Sequence, residues 1–170
     1  MASGNTLCAF YPQDAEFPAT NHPTFDTRAM AEGSILVLDF DDTTDETCYF
    51  SGFMPSNYAG GGLTVTTMWM ATSATSGTVS WDVSFMSVTD DADDLDTKAY
   101  AAANNVNPTT ASATGEVDYI ATTFTDGADM DSVAAGEFFR MRVSRDANGT
   151  TSTDNMTGDM ELVSIVIKET

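Results

Sequence analysis

The chain has 170 residues, 42% of them hydrophobic, with 26 acidic against 6 basic side chains and a formal net charge of -20. That length suits one domain able to bury a hydrophobic core without metal or disulfide support. So few cations exclude a nucleic-acid role built on phosphate neutralisation and disfavour anionic membrane surfaces. Basic protein surfaces or divalent cations remain as charged partners, and the same charge serves simply to keep a surface soluble. The acids are 19 Asp and only 7 Glu, beside 26 Thr. Asp and Thr are poor helix formers, whereas Thr suits strands and Asp suits turns, so composition points to β structure with many loops.

Residues 1–33 hold Pro12, Pro18 and Pro23 and little periodicity, apart from a short strand candidate at Leu7 to Tyr11. They read as an extended arm lying on its own domain or on a neighbour. The sandwich domain is placed at 34–170. Ser34 to Phe40 and Thr47 to Phe53 are strand-like, and Gly60-Gly61-Gly62 then breaks the chain. Leu63, Val65, Thr67 and Trp69 next alternate with Thr64, Thr66, Met68 and Met70, the period of two that marks a sheet. Ser73 to Gly77 reads as a turn. From Thr78 to Val88 the pattern repeats, with Val79, Trp81, Val83 and Phe85 on one face. Two such strands, each with a tryptophan and a short turn between them, predict a hairpin. The tryptophans are expected to be sealed between sheets.

Asp90 to Asp96 is an acidic loop, and Leu95 to Ala103 is the main helix candidate, with a short helical turn near Met130 to Ala135. Strand signals return at Glu116 to Phe124, Glu137 to Arg145 and Asp159 to Glu169. The expected fold is all-β: an antiparallel two-sheet β-sandwich of jelly-roll type, with about eight strands and one or two short helices.

Few residues suggest chemistry. A nucleophilic triad needs a base, and the one histidine, His22, sits among prolines. Cys8 and Cys48 make no disulfide framework and no zinc cluster. The triple glycine precedes a strand, not a helix, so it forms no helix-terminus phosphate cradle. Asp82 and Glu137 are the carboxylates to consider for a glycosidase pair. Asp90 to Asp96, and the group Asp126, Asp129 and Asp131, have the composition of calcium loops but not the spacing of an EF-hand, and read as solvated, turn-capping acids. Asn148 and Asn155 stand in glycosylation sequons, but the N-terminus has no signal-peptide pattern, and cytoplasmic synthesis is expected. No enzyme activity, cofactor or metal is expected. Three of the six cations, Arg140, Arg142 and Arg145, fall in one strand as a possible oligomer or capsid contact, balanced by aspartates of the same chain or of an adjacent subunit.

From residue 58 to 168 the chain resembles the jelly-roll decoration (cement) proteins of tailed-phage capsids. The carrying segments are Tyr58-Ala59-Gly60-Gly61-Gly62-Leu63-Thr64-Val65, Met68-Trp69-Met70-Ala71-Thr72-Ser73, Val79-Ser80-Trp81-Asp82-Val83-Ser84-Phe85, Phe124-Thr125-Asp126-Gly127, Gly136-Glu137-Phe138-Phe139-Arg140-Met141-Arg142-Val143 and Gly158-Asp159-Met160-Glu161-Leu162. The resemblance implies a homotrimer on the virion surface that bridges neighbouring copies of the major capsid protein, with no catalytic residues. The competing functions are a carbohydrate-binding jelly roll, for which Trp69 and Trp81 would have to face solvent, and another head-fibre or tail component.

Overall fold

The computed structural model describes residues 4–170. The strands are β1 (Thr6–Phe10), β2 (Thr24–Ala29), β3 (Ser34–Phe40), β4 (Glu46–Phe53), β5 (Leu63–Ala71), β6 (Trp81–Val88), β7 (Asn104–Val106), β8 (Asp118–Phe124), β9 (Phe138–Arg145) and β10 (Met160–Glu169). They form two antiparallel sheets. One has the order β2-β3-β10-β5-β8 with β1 also on β10, and the other has the order β4-β9-β6-β7. Single 3-10 turns at Pro12–Asp14 and Ala128–Met130 are the helical elements among the described residues. This is the all-β jelly-roll sandwich that the sequence predicts, with two extra strands. Both extras lack an apolar rhythm: β2 is exposed at almost every position, and β7 is three residues long.

β10 is the centre of the six-stranded sheet. One edge runs along β5 from Met160 opposite Ala71 to Glu169 opposite Leu63. The other edge is divided, with Met160 to Leu162 on β3 and Ile165 to Lys168 on β1. Alternation sends Leu38, Phe40, Val65 and Trp69 inward from this sheet, and a register shift between Leu162 and Ser164 keeps both Leu162 and Ile165 on that face, to meet Phe50, Trp81, Val83, Phe85, Met141 and Val143 from the other. Trp69 and Trp81 are fully buried. Phe40 meets Trp81 edge-to-face at 5.1 Å across the interior, and the Trp81 indole N–H donates to the Thr67 hydroxyl at 3.3 Å.

The expected β5–β6 hairpin is not formed: β5 belongs to the six-stranded sheet and β6 to the four-stranded one. Two strands that each carry an apolar face bury it by facing one another across a sandwich as readily as by pairing edge to edge. Alternation alone does not distinguish the two. The expected helix at Leu95 to Ala103 is also absent. The segment is a turn closed by the Thr97 and Lys98 amides on the Asp94 carbonyl, followed by an irregular stretch tied to β6 by the Ala101 amide on the Phe85 carbonyl at 2.8 Å. Lys98 pairs with Asp93 and Asp131, and Tyr100 packs on Tyr49. These tertiary contacts outweigh the weak helix preference of the segment.

From residue 4 to 33 the chain lies on its own sandwich. β1 and β2 join the six-stranded sheet. Between them Glu16 exchanges main-chain hydrogen bonds with Tyr49, at 2.8 and 2.9 Å, on the edge of the other sheet.

Candidate site on the outer face of the four-stranded sheet

Period two on β9 turns Phe139, Met141, Val143 and Arg145 inward and Arg140, Arg142 and Ser144 outward. The register places Tyr49 of β4 and Ser84 of β6 on either side of Arg142. One step along, Thr47 and Asp82 flank Ser144 in the same way. The three arginines named from sequence therefore part company. Arg145 is fully buried and is no contact residue for another subunit. Its Nε and one Nη bond the Asp154 carboxylate at 3.0 Å, and its remaining N–H groups reach the carbonyls of Phe40, Met156 and Gly158. All five guanidinium donors are used. Its place in the series of Phe139, Met141 and Val143 was visible in the sequence, but grouping the arginines by charge hid it.

Arg140 and Arg142 stay on the surface. Arg140 pairs with Glu16 at 2.6 Å and lies over the Tyr49 ring, 4.7 Å from its centroid. Tyr49 stacks on Tyr100 at 5.8 Å, and Arg142 lies over Tyr100 at 5.3 Å. Each ring is thus backed by the other and covered by a guanidinium, a cation–π arrangement that leaves neither a broad open face. The Tyr100 hydroxyl and the outward-facing Ser84 hydroxyl are buried beside this stack without hydrogen-bond partners. Burial pushes the Tyr100 phenol up to about 12.

Beyond Arg142 the face opens into a polar depression of about 260 Å³, walled by Asp45, Thr47, Asp82, Arg142 and Thr151. Burial raises Asp82 above its ordinary value, while a hydrogen bond from Asn105 at 2.8 Å and the Arg142 charge pull it back. Asp146 at the floor is raised by burial, but the Thr150 and Thr151 amides hold it below its ordinary value. Asn148 donates to Asp45 from its main chain at 3.0 Å. The Arg142 guanidinium, by contrast, lies over the Tyr100 ring and has no ion pair or hydrogen bond among the described residues. Fixed carboxylate acceptors thus stand beside a guanidinium without a hydrogen-bond partner, with the Thr47 and Ser144 hydroxyls in the same lining.

The other carboxylates named from sequence do not converge here. Glu137 stands just before β9, at the far end from Ser144, the partner of Asp82. That places Glu137 and Asp82 roughly 20 Å apart along the strand, well beyond a glycosidase pair. Asp93 and Asp129 hold their own turns, accepting the Thr89 and Thr125 amides, and Asp131 ties its loop to β6 by accepting the Ser87 amide. A third group that the sequence did not single out, Asp41, Asp42 and Asp159, has oxygens within 4.8 Å of one another. The three carboxylates already accept main-chain N–H groups from Thr43, Thr44, Gly158 and Asp42. His22 stacks on Phe17 at 4.9 Å, and both cysteines are free thiols.

The opposite outer surface, on the six-stranded sheet, carries an apolar patch beside the Arg28–Glu161 ion pair. Val37, Met70 and Val163, with Ile35 and Met68, form a small second cluster there. Depressions of about 370 and 410 Å³ meet at Ile35, Met68 and Val163. Tyr119, 68% exposed, and Met30, 51% exposed, stand beside them.

No known family profile matches the chain, and no curated protein matches it in sequence. Among solved structures it is similar to the CBM22-1 xylan-binding domain of Paenibacillus barcinonensis Xyn10C, with a TM-score of 0.51, 10% identity, and 99% of this chain and 97% of that one covered. It is also similar to the Clostridium thermocellum xylanase 10B CBM22-1–GH10 modules complexed with xylohexaose, at TM-score 0.52 and 10% identity. There it covers 99% of this chain but only 28% of the larger protein. The family 11 carbohydrate-binding module of Clostridium thermocellum, in complex with a β-1,3-1,4-mixed-linked tetrasaccharide, gives TM-score 0.50 and 9% identity over 99% of this chain and 97% of that one. At these identities the likeness is one of fold.

Proposed function

We propose that this chain is a non-catalytic recognition domain that binds carbohydrate on the outer face of its four-stranded sheet. The observation that carries it is the depression in which Arg142 stands uncommitted beside Asp82 and Asp45. A sugar hydroxyl both donates and accepts, so it pairs with a carboxylate and a guanidinium at once. The fold adds support, since the solved neighbours include a xylan-binding domain and a module holding a mixed-linkage tetrasaccharide. Tryptophan stacking has no part in it, because both indoles are sealed inside. The test is affinity electrophoresis through gels holding soluble xylan, mixed-linkage glucan or dextran. One of them retards the wild-type chain, and Arg142→Ala abolishes the retardation. Equal mobility of wild type and variant in every gel would end the proposal.

A second reading is favoured by a different surface. On the outer side of the six-stranded sheet, Ile35, Val37, Met68, Met70 and Val163, with Tyr119 and Met30 exposed beside them, form the kind of apolar patch that marks protein contacts. Together with the resemblance to capsid decoration proteins, it supports a virion protein that assembles as a trimer on the major capsid protein. The two roles use opposite sides of the molecule and are compatible. Light scattering on the purified chain and its binding to mature heads test this role. A monomer that ignores heads rejects it.

A further inference from the structure

We infer that the depression takes one or two terminal residues of a neutral glycan, held edge-on through their hydroxyls by Asp82 and Arg142, and that it turns acidic sugars away. The inference rests on the carbohydrate reading above and deepens it.

Three observations lead there. The first is the mode of contact. Sugar-binding surfaces that grip a pyranose by its flat side need a bare aromatic face. The exposed Phe53 and its partner Phe138 also stand on this face, but six residues along β9 from Ser144, about 20 Å from the depression. Beside the depression the rings are Tyr49 and Tyr100, which stack on one another with Arg140 and Arg142 over them. What remains is hydrogen bonding. One Asp82 oxygen is taken by the Asn105 amide at 2.8 Å, and the other has only a 3.5 Å contact from the Thr151 hydroxyl. That second oxygen can accept from a sugar O–H, while the Arg142 guanidinium, free of any carboxylate, donates to an adjacent sugar oxygen.

The second observation is size. About 260 Å³ falls below the roughly 300–1,000 Å³ of sites that enclose drug-sized ligands. A chain end or short branch fits, whereas an extended run of sugars would lie mostly outside.

The third is charge. The depression holds Asp45, Asp82 and Asp146 against Arg142 alone, since Arg145 is neutralised by Asp154. The whole chain carries a formal charge of -20. A uronate or sulfate would bring another anion into this field, and Arg142 would have to offset all of it. A neutral sugar meets no such repulsion, and its binding is nearly independent of salt.

Calorimetric titration of the intact chain decides the matter, using neutral xylo- and cello-oligosaccharides of one to six residues and oligogalacturonates of the same lengths. Affinity should level off by the disaccharide, change little between 50 mM and 500 mM NaCl, and exceed that for oligogalacturonates about tenfold or more. Asp82→Asn and Arg142→Ala should each lower it about tenfold, while Tyr119→Ala on the opposite side leaves it unchanged. Near-ultraviolet circular dichroism of the buried tryptophans checks that each variant is folded. Affinity that climbs through six residues, or oligogalacturonates that bind as tightly as neutral sugars, overturns this inference and leaves the carbohydrate role standing. Heat from none of these sugars, together with free migration in every polysaccharide gel, rejects both.

Discussion

Arg145 shows how one side chain can organise a region. Its guanidinium ties the end of β9 to the carbonyl of Phe40 on β3 and to three points on the loop between β9 and β10. Replacing it with Ala leaves the Asp154 carboxylate buried and unpaired, and such a loss costs about 3–5 kcal/mol. Arg145→Lys should recover only part of that, because an ammonium lacks the planar fork of five donors. Urea denaturation of the two variants measures the difference. Tyr100 presents the opposite case, since its hydroxyl is buried with no partner. Tyr100→Phe removes a polar atom that the fold does not use, so thermal unfolding should show no loss and a gain of up to about 1 kcal/mol. The stacking against Tyr49 remains in that variant.

Among the elements, the strands that carry both an apolar rhythm and a bounding turn were legible, and Ser34–Phe40 and Leu63–Ala71 lie where alternation puts them. What alternation could not tell was the sheet to which a strand belongs, which is why β5 and β6 read as a hairpin. The arginine side of the site was legible from β9. The depression beside Arg142 was not, because Asp45, Asp82 and Thr151 meet only through strand order and the fold of a distant loop. The crossing from β5 to β6 also depends on Gly77. Its φ is +101°, and an added Cβ would lie 2.8 Å from the Cα of Met156. Gly77→Ala should therefore destabilise by about 2 kcal/mol or more. Gly127 has a similar φ of +99° with open space around it. Gly127→Ala should cost less, and equilibrium unfolding of both separates backbone strain from the clash.

At the scale of the whole molecule, the carboxylates set the response to pH. Burial first, then the neighbouring Asp159, Glu161 and Asp26, push Asp39 up to about 6 from 3.8. Burial also raises Asp159 and Glu161. In this window the folded chain holds protons that the unfolded chain releases, so stability should rise as pH falls from about 6 towards 4. Asp41 and Asp146 are lowered on folding, so their contribution is lost below their unfolded values. Melting temperature should thus peak on the acid side of neutrality, and Asp39→Asn should flatten the rise. Added NaCl at pH 7 should act in the same direction by screening the excess of negative charge. The central position of β10 also has a temporal consequence. A ribosome delivers this strand after every strand it joins, so until it emerges β1, β3 and β5 have no common neighbour. A nascent chain stalled before Met160 should remain open to protease, and protection should arrive in a single step once Glu169 clears the exit tunnel.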